Sequence, residues 1–248
     1  PNRKSHDGVE EVFYDPKEVP IPCFLPDTPE TREELAHYYQ SVSRIDQGVA
    51  KLVQILKEAD LYEKTMFVFT SDHGMAFAGG KTTVYEGGLR VPFVVRNPYE
   101  KKRGVRSTAL ISHIDMTHTL LDFGGVLDSK SNRPKNSEDP NKSFPLPRTK
   151  GPKDNRGTSG KLSAYHGKSW LSVLGTADAT HWESIFASHT FHEIQMYYPM
   201  RVFRDMEFKL IWNIAHPLPY PFASDLWAAS SFQAQYQKSF SAPYGKKT

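Results

Sequence analysis

The sequence predicts an α/β protein, and three observations carry that prediction. One long stretch has helical apolar spacing, short continuous apolar runs of strand type follow it, and further helical patterns alternate with those runs. In the long stretch, Leu35, Tyr38, Val42, Ile45, Val49, Leu52, Val53 and Leu56 recur mostly three or four residues apart. This spacing predicts a single amphipathic helix of the kind that covers a sheet face. Its start is marked twice. Thr28 before Pro29 fits an N-cap with proline at the first helical position, and Thr31 with Glu34 fits a capping box.

The strand-type runs are Met66 to Thr70, Pro92 to Arg96, and Ala109 to Ser112, the last leading into a helical pattern through Met116, Leu120, Leu121 and Phe123. Their apolarity is continuous rather than alternating, which predicts burial on both faces in a mostly parallel sheet flanked by helices. Ahead of the long helix, residues 1–30 hold Pro16, Pro20, Pro22, Pro26 and Pro29 without periodicity and predict an extended surface segment. From Asp128 to about residue 162 the composition turns to Ser, Asn, Pro, Lys, Asp and Gly, predicting a loop or insertion. Tyr165 to Leu174 reads as a short helix. Ser184–Ser188, Met200–Arg204 and Phe208–Trp212 read as strands, with a turn at Asp205-Met206-Glu207 between the last two. The expected organisation is a large α/β part over 1–127, an insertion over 128–162, and over 163–248 the end of that part and the start of a smaller antiparallel sheet.

Composition narrows the function classes. The chain has 248 residues, 38% hydrophobic and 24% charged, with a formal net charge of +3. It has no dense Lys/Arg block with interleaved aromatics, so nucleic acid is not an expected partner. No apolar run approaches the roughly 20 residues that span a bilayer. Cys23 is the single cysteine, which excludes an intrachain disulfide, and its expected role is a structural thiol.

Chemistry concentrates after the first strand-type run. Ligands in open α/β sheets sit beyond the carboxyl ends of strands, and Ser71-Asp72-His73-Gly74 occupies that place. Asp72 and His73 read either as converging metal donors or as a turn in which the aspartate caps backbone. Gly79-Gly80-Lys81-Thr82-Thr83 follows, and Lys81 reads either as a compact charge for a tetrahedral oxyanion or as a solvated lysine on a turn.

Ser71-Asp72-His73-Gly74 followed by Gly80-Lys81-Thr82-Thr83, Tyr85-Glu86-Gly87-Gly88, Arg90 and Pro92 resembles the second signature region of the type I sulfatases, in the alkaline phosphatase superfamily. The block Tyr38–Thr70, Ile114-Asp115-Met116-Thr117, and Tyr165-His166-Gly167-Lys168-Ser169-Trp170-Leu171 resemble the same family. His192-Glu193-Ile194-Gln195-Met196-Tyr197-Tyr198-Pro199-Met200-Arg201, with Phe208 to Asn213, is similar to the heparan N-sulfatases. The resemblance covers residues 35–125 and 165–215. It implies an alkaline phosphatase-like sandwich and hydrolysis of sulfate esters or sulfamates of a sulfated carbohydrate. Asp72 matches the family's metal aspartate, and His73 a position that is Asn in many members and His in others. Lys81 matches the sulfate-contacting lysine, and the implied cation is Ca2+, with Mg2+ as the alternative. Glu86 and Arg90 read as a structural ion pair or loop brace. His192, Glu193 and Arg201 are candidates for substrate recognition, or else polar residues on a C-terminal strand and loop.

In that family the nucleophile is a formylglycine made from a Cys/Ser-x-Pro-x-Arg motif. No such motif occurs here, since Cys23 sits in Cys-Phe-Leu-Pro-Asp. The expectation is that the nucleophile and further metal aspartates lie upstream, on the N-terminal half of the same protein, and that this chain alone does not turn over. The resemblance implies a periplasmic, secreted or lysosomal setting. Two rival expectations are a phosphatase or phosphodiesterase of the same superfamily and a non-catalytic protein that binds sulfated glycans.

Overall fold

A computed structural model describes residues 8–125, 127–128, 133–134, 166–193 and 196–238. Apart from positions 128, 133 and 134, the expected insertion lies outside the described residues, as do Tyr165, Ile194 and Gln195. The chain divides into two compact units, one of Pro1–Tyr99, Phe186–Phe203 and Lys209–Thr248, the other of Glu100–Ile185 and Arg204–Phe208.

In the first unit, helix α1 spans Pro29–Glu58. Thr28 caps it, its hydroxyl accepting from Thr31 N at 3.2 Å. Thr31, the other expected start, lies inside the helix, and its capping box with Glu34 does not form. Glu34 instead accepts from the backbone and hydroxyl of Ser230 and from the Ser231 hydroxyl, tying α1 to a helix near the C-terminus. Leu35 and Ala36 on α1 join Val19, Leu25 and Phe77 in a buried cluster. Residues 8–28 are therefore more than a surface segment. Their prolines prevent regular structure, yet Val19 and Leu25 dock into the core. Farther along α1, Val42, Ile45 and Leu52 of the apolar stripe are exposed, as is Ile55 outside it.

Strand β1 (Phe67–Thr70) pairs with β2 (Phe93–Arg96), with Phe67 opposite Arg96 and Thr70 opposite Phe93. The pairing is antiparallel, so the expected parallel sheet is not found among the described residues. Continuous apolarity reports burial on two faces and carries no information about strand direction. Between these strands lies the one-turn helix α2 (Glu86–Leu89).

The second unit contains α3 (Asp115–Phe123) and the short antiparallel pair β3 (Leu127–Asp128) and β4 (Arg133–Pro134). Its organising group is Asp115, fully buried, which accepts from Ser112 N at 2.9 Å, Lys168 N at 3.0 Å and Trp182 Nε1 at 2.9 Å. Thr119 accepts from Trp170 N at 3.2 Å. A Cβ on Gly167 would lie 2.2 Å from the Ile114 carbonyl oxygen, so only glycine permits this approach. Two segments far apart in sequence thus pack on one carboxylate. The same bonds explain two corrections. Residues 109–112 join no ladder, because Ser112 N is taken by Asp115, and the expected helix of 165–174 is reduced to a 3₁₀ turn at Leu171–Val173.

Strands β5 (Ile185–His192), β6 (Met196–Arg204) and β7 (Lys209–Asn213) form a three-stranded sheet in that order. The connection from β6 to β7 is too short for a parallel crossover, so this pair is an antiparallel hairpin. Asp205 N bonds Phe208 O at one end and Ile214 N bonds Pro199 O at the other, which sets Arg201 opposite Trp212. Tyr198, Met200 and Val202 are buried in a cluster with Val84 and Ala215. Short helix α4 (Ser224–Trp227) and α5 (Ser230–Lys238) complete the first unit.

Candidate active site

Immediately after β1 the chain turns through Ser71 to Gly74 and then folds on itself as far as Arg90. Gly74 N donates to Gly88 O at 2.9 Å, and Lys81 N donates to Met75 O at 2.8 Å. The approach is close. A Cβ on Gly74 would lie 1.7 Å from Gly87 O, and one on Gly88 would lie 2.3 Å from Thr83 O. The glycines of this loop therefore serve backbone contact more than flexibility. Thr83 closes the turn by donating to Gly79 O and Gly80 O. Thr82 adopts φ +68, a conformation costly for a β-branched residue. Tyr220 holds it there, donating to Thr82 O at 2.7 Å.

Asp72 and His73 lie at the open end of this fold, and both are exposed. The imidazole Nδ1 is 2.8 Å from Gly74 O, and a carbonyl only accepts, so Nδ1 carries the proton. In the neutral imidazole Nε2 then carries the lone pair, and it lies 3.7 Å from Asp72 Oδ2. A nitrogen and a carboxylate oxygen thus converge, and the backbone carbonyl that fixes the tautomer plays the part usual behind a metal-bound histidine. The pair fits part of a divalent-cation shell. It does not fill one, for among the described residues no three His, Cys, Asp or Glu side chains gather as a metal site.

Lys81 is mostly buried, and its ammonium donates to Asp225 Oδ2 at 2.5 Å. The ammonium holds the Asp225 carboxyl below the usual carboxylate range, chiefly through that hydrogen bond. Asp225 Oδ1 accepts from Leu226 N at 3.0 Å. Next to it, the Ser224 hydroxyl donates to Glu193 Oε1 at 2.8 Å. Glu193 sits at φ +55 in the turn after β5, with His192 Nε2 3.8 Å from its carboxylate. The structure therefore links Lys81 to His192 and Glu193 through Ser224 and Asp225.

Arg201 is not brought into this group. It lies on the exposed face of β6, opposite in parity to Met200 and Val202, and donates to the carbonyls of His189 and Met200. Glu86 accepts from Lys209 on β7 at 2.9 Å, bracing the loop against the sheet.

Residues 4–126 match the sulfatase family model. The chain is 33% identical over 221 residues to human N-sulphoglucosamine sulphohydrolase, covering 89% of this chain and 39% of that protein. The chain belongs to the sulfatase family. It is also similar to N-acetylglucosamine-6-O-sulfatase of Bacteroides thetaiotaomicron, at 31% over 100 residues (38% of this chain, 18% of that protein). A third similar sequence is the extracellular sulfatase SULF-1 homolog of Drosophila melanogaster, at 32% over 96 residues, with 35% and 8% covered. The chain thus spans about two-fifths of the human relative's length and less of the others.

Membership gives the α/β class its basis, and sulfatases as a family use a divalent metal and a formylglycine. No described helix of this sulfatase chain is long and apolar enough to cross a membrane. Sequence reasoning did not find Ser224, Asp225 or Tyr220. Asp225 lies 144 residues from Lys81, and no periodicity or spacing rule connects them.

Proposed function

We propose that this chain supplies part of the active site of a sulfatase that hydrolyses sulfate esters or sulfamates of a sulfated carbohydrate. The observation that carries the reading is the single folded loop that offers two cation donors, Asp72 and His73 Nε2, and also holds a braced lysine. Asp72 and His73 would hold a divalent cation, Ca2+ or Mg2+. Such a cation, when bound, polarises sulfuryl oxygens and lowers the pKa of a hydrated nucleophile. Lys81 places a fixed positive charge for a sulfuryl oxygen, and such preorganised charge counts most where water is excluded. His192 and Glu193 face the carbohydrate, while Arg201 braces β5 and β6.

The formylglycine and the remaining metal ligands are proposed to lie in the N-terminal half of the same protein. Support comes from the uncovered apolar stripe of α1 and from β1 and β2, which find no other strand among the described residues. In the same proposal that half completes a larger, mostly parallel sheet. The relative named an extracellular sulfatase supports an exported setting, whether periplasmic, secreted or lysosomal.

The test uses the protein that carries the upstream half. Release of sulfate from N-sulfated glucosamine, an aryl sulfate and, in parallel, phosphate from an aryl phosphate is measured with and without a chelator. Chelator-sensitive sulfate release that exceeds phosphate release is expected, and Lys81→Ala should lower kcat by about 100-fold or more. Preferential phosphate release, or none with an intact upstream motif, would defeat the reading.

A further inference from the structure

We propose that Asp225 is a positioning residue for the reaction, holding the Lys81 ammonium in the one orientation useful to a sulfuryl group; this rests on the sulfatase reading of Lys81. An unbraced lysine has four rotatable bonds and spreads its charge over many positions. Here both oxygens of Asp225 are engaged, Oδ2 by Lys81 Nζ at 2.5 Å and Oδ1 by Leu226 N at 3.0 Å. The carboxylate is thereby held at both of its oxygens. Its support is equally fixed, since Ala223 and Leu226 on either side are buried. The ammonium keeps two further protons, which remain for sulfuryl oxygens.

The wider segment Tyr220–Leu226 acts as a clamp. At one end Tyr220 bonds the strained Thr82 next to Lys81, and near the other Ser224 pins Glu193, itself at positive φ. One segment therefore sets the spacing between the sulfate-binding lysine and the carbohydrate-facing turn. A change at Asp225 should act on catalysis through Lys81 rather than on substrate affinity alone.

The experiment is a double-mutant cycle in the full-length enzyme, comparing Asp225→Ala, Lys81→Ala and both together on an N-sulfated glucosamine substrate, with melting temperatures recorded. Asp225→Ala should lower kcat by about 10-fold or more, with a smaller change in KM. In the Lys81→Ala background it should have no further effect on kcat, because the group it positions is gone. Asp225→Glu should recover part of the loss. If the alanine variant fails to fold, Asp225→Asn preserves the volume and stands in for it. Equal losses in both backgrounds, or an unchanged kcat, would overturn the role of Asp225 while leaving the sulfatase reading standing. An active Lys81→Ala enzyme would instead remove the reading on which the role depends.

Discussion

At the residue scale, Gly74 tests whether the loop is built by backbone contact. A Cβ there meets the Gly87 carbonyl at 1.7 Å, and backbone cannot rotate away as a side chain can. Gly74→Ala should cost about 3 kcal/mol or more, the range of severe single substitutions. The denaturation midpoint checks it, and an unchanged midpoint would refute the packed-loop account. Arg201 provides the opposite case. Its guanidinium serves strand carbonyls on the exposed face of β6, so Arg201→Ala should lower stability by about 1 kcal/mol. Activity on sulfated glucosamine relative to an aryl sulfate should stay the same. A selective loss on the sugar substrate would return Arg201 to the binding site. The two residues also show what sequence can reveal. Gly74 is legible from sequence, because a glycine beside Asp-His after an apolar run permits a tight backbone turn at a strand end. That Arg201 points away from Met200 and Val202 follows from strand alternation, but which face of the sheet packs towards Lys81 is set by tertiary packing that its neighbours in sequence do not specify.

At the element scale, the packing of α3 against the 166–182 segment should make the second unit sensitive to acid. His181 is buried beside Asp115, at 3.4 Å. Burial pushes its pKa down, outweighing Asp115, which pulls it up, while Lys168 also pushes it down. The folded protein thus binds a proton less readily than the unfolded chain, whose histidine titrates near 6.5. Stability from this group is complete above that value and falls as pH drops below about 6.5 towards the lower folded pKa. Asp225 contributes in a separate window, since its depressed pKa matters only as pH falls below the usual carboxylate value. His181→Gln should therefore flatten melting temperature between pH 7.5 and 5.5, and parallel curves for variant and parent would exclude His181 as the source. Elements were legible in proportion to how locally they are determined. α1 announced itself through Thr28 and Pro29 as well as its spacing, and the β6–β7 hairpin through its turn residues. The helix expected over 165–174 did not form because Asp115, some fifty residues earlier, takes Lys168 N. No local pattern encodes that competition.

At the scale of the whole molecule, the apolar surface left open is the surface that the proposed upstream half would cover. Val42, Ile45, Leu52 and Ile55 of α1 and Val94 of β2 are all exposed, although a helix stripe and a strand of this composition ordinarily face a core. Covering a large aliphatic side chain contributes about 1.5–3 kcal/mol when complete. Even half of that, over five side chains, is comparable with the net stability of a domain. The 248-residue chain alone should therefore bind a hydrophobic dye, self-associate, and release no sulfate. Expressed together with the upstream half, it should lose dye binding and melt at a higher temperature. Charged substitutions at Ile45 and Leu52 separate this from general stickiness. They should improve the solubility of the isolated chain yet impair assembly with the upstream half. If Ile45→Glu and Leu52→Glu left assembly and activity intact, the α1 stripe would not be the buried face, and the sheet would have to be completed from another side.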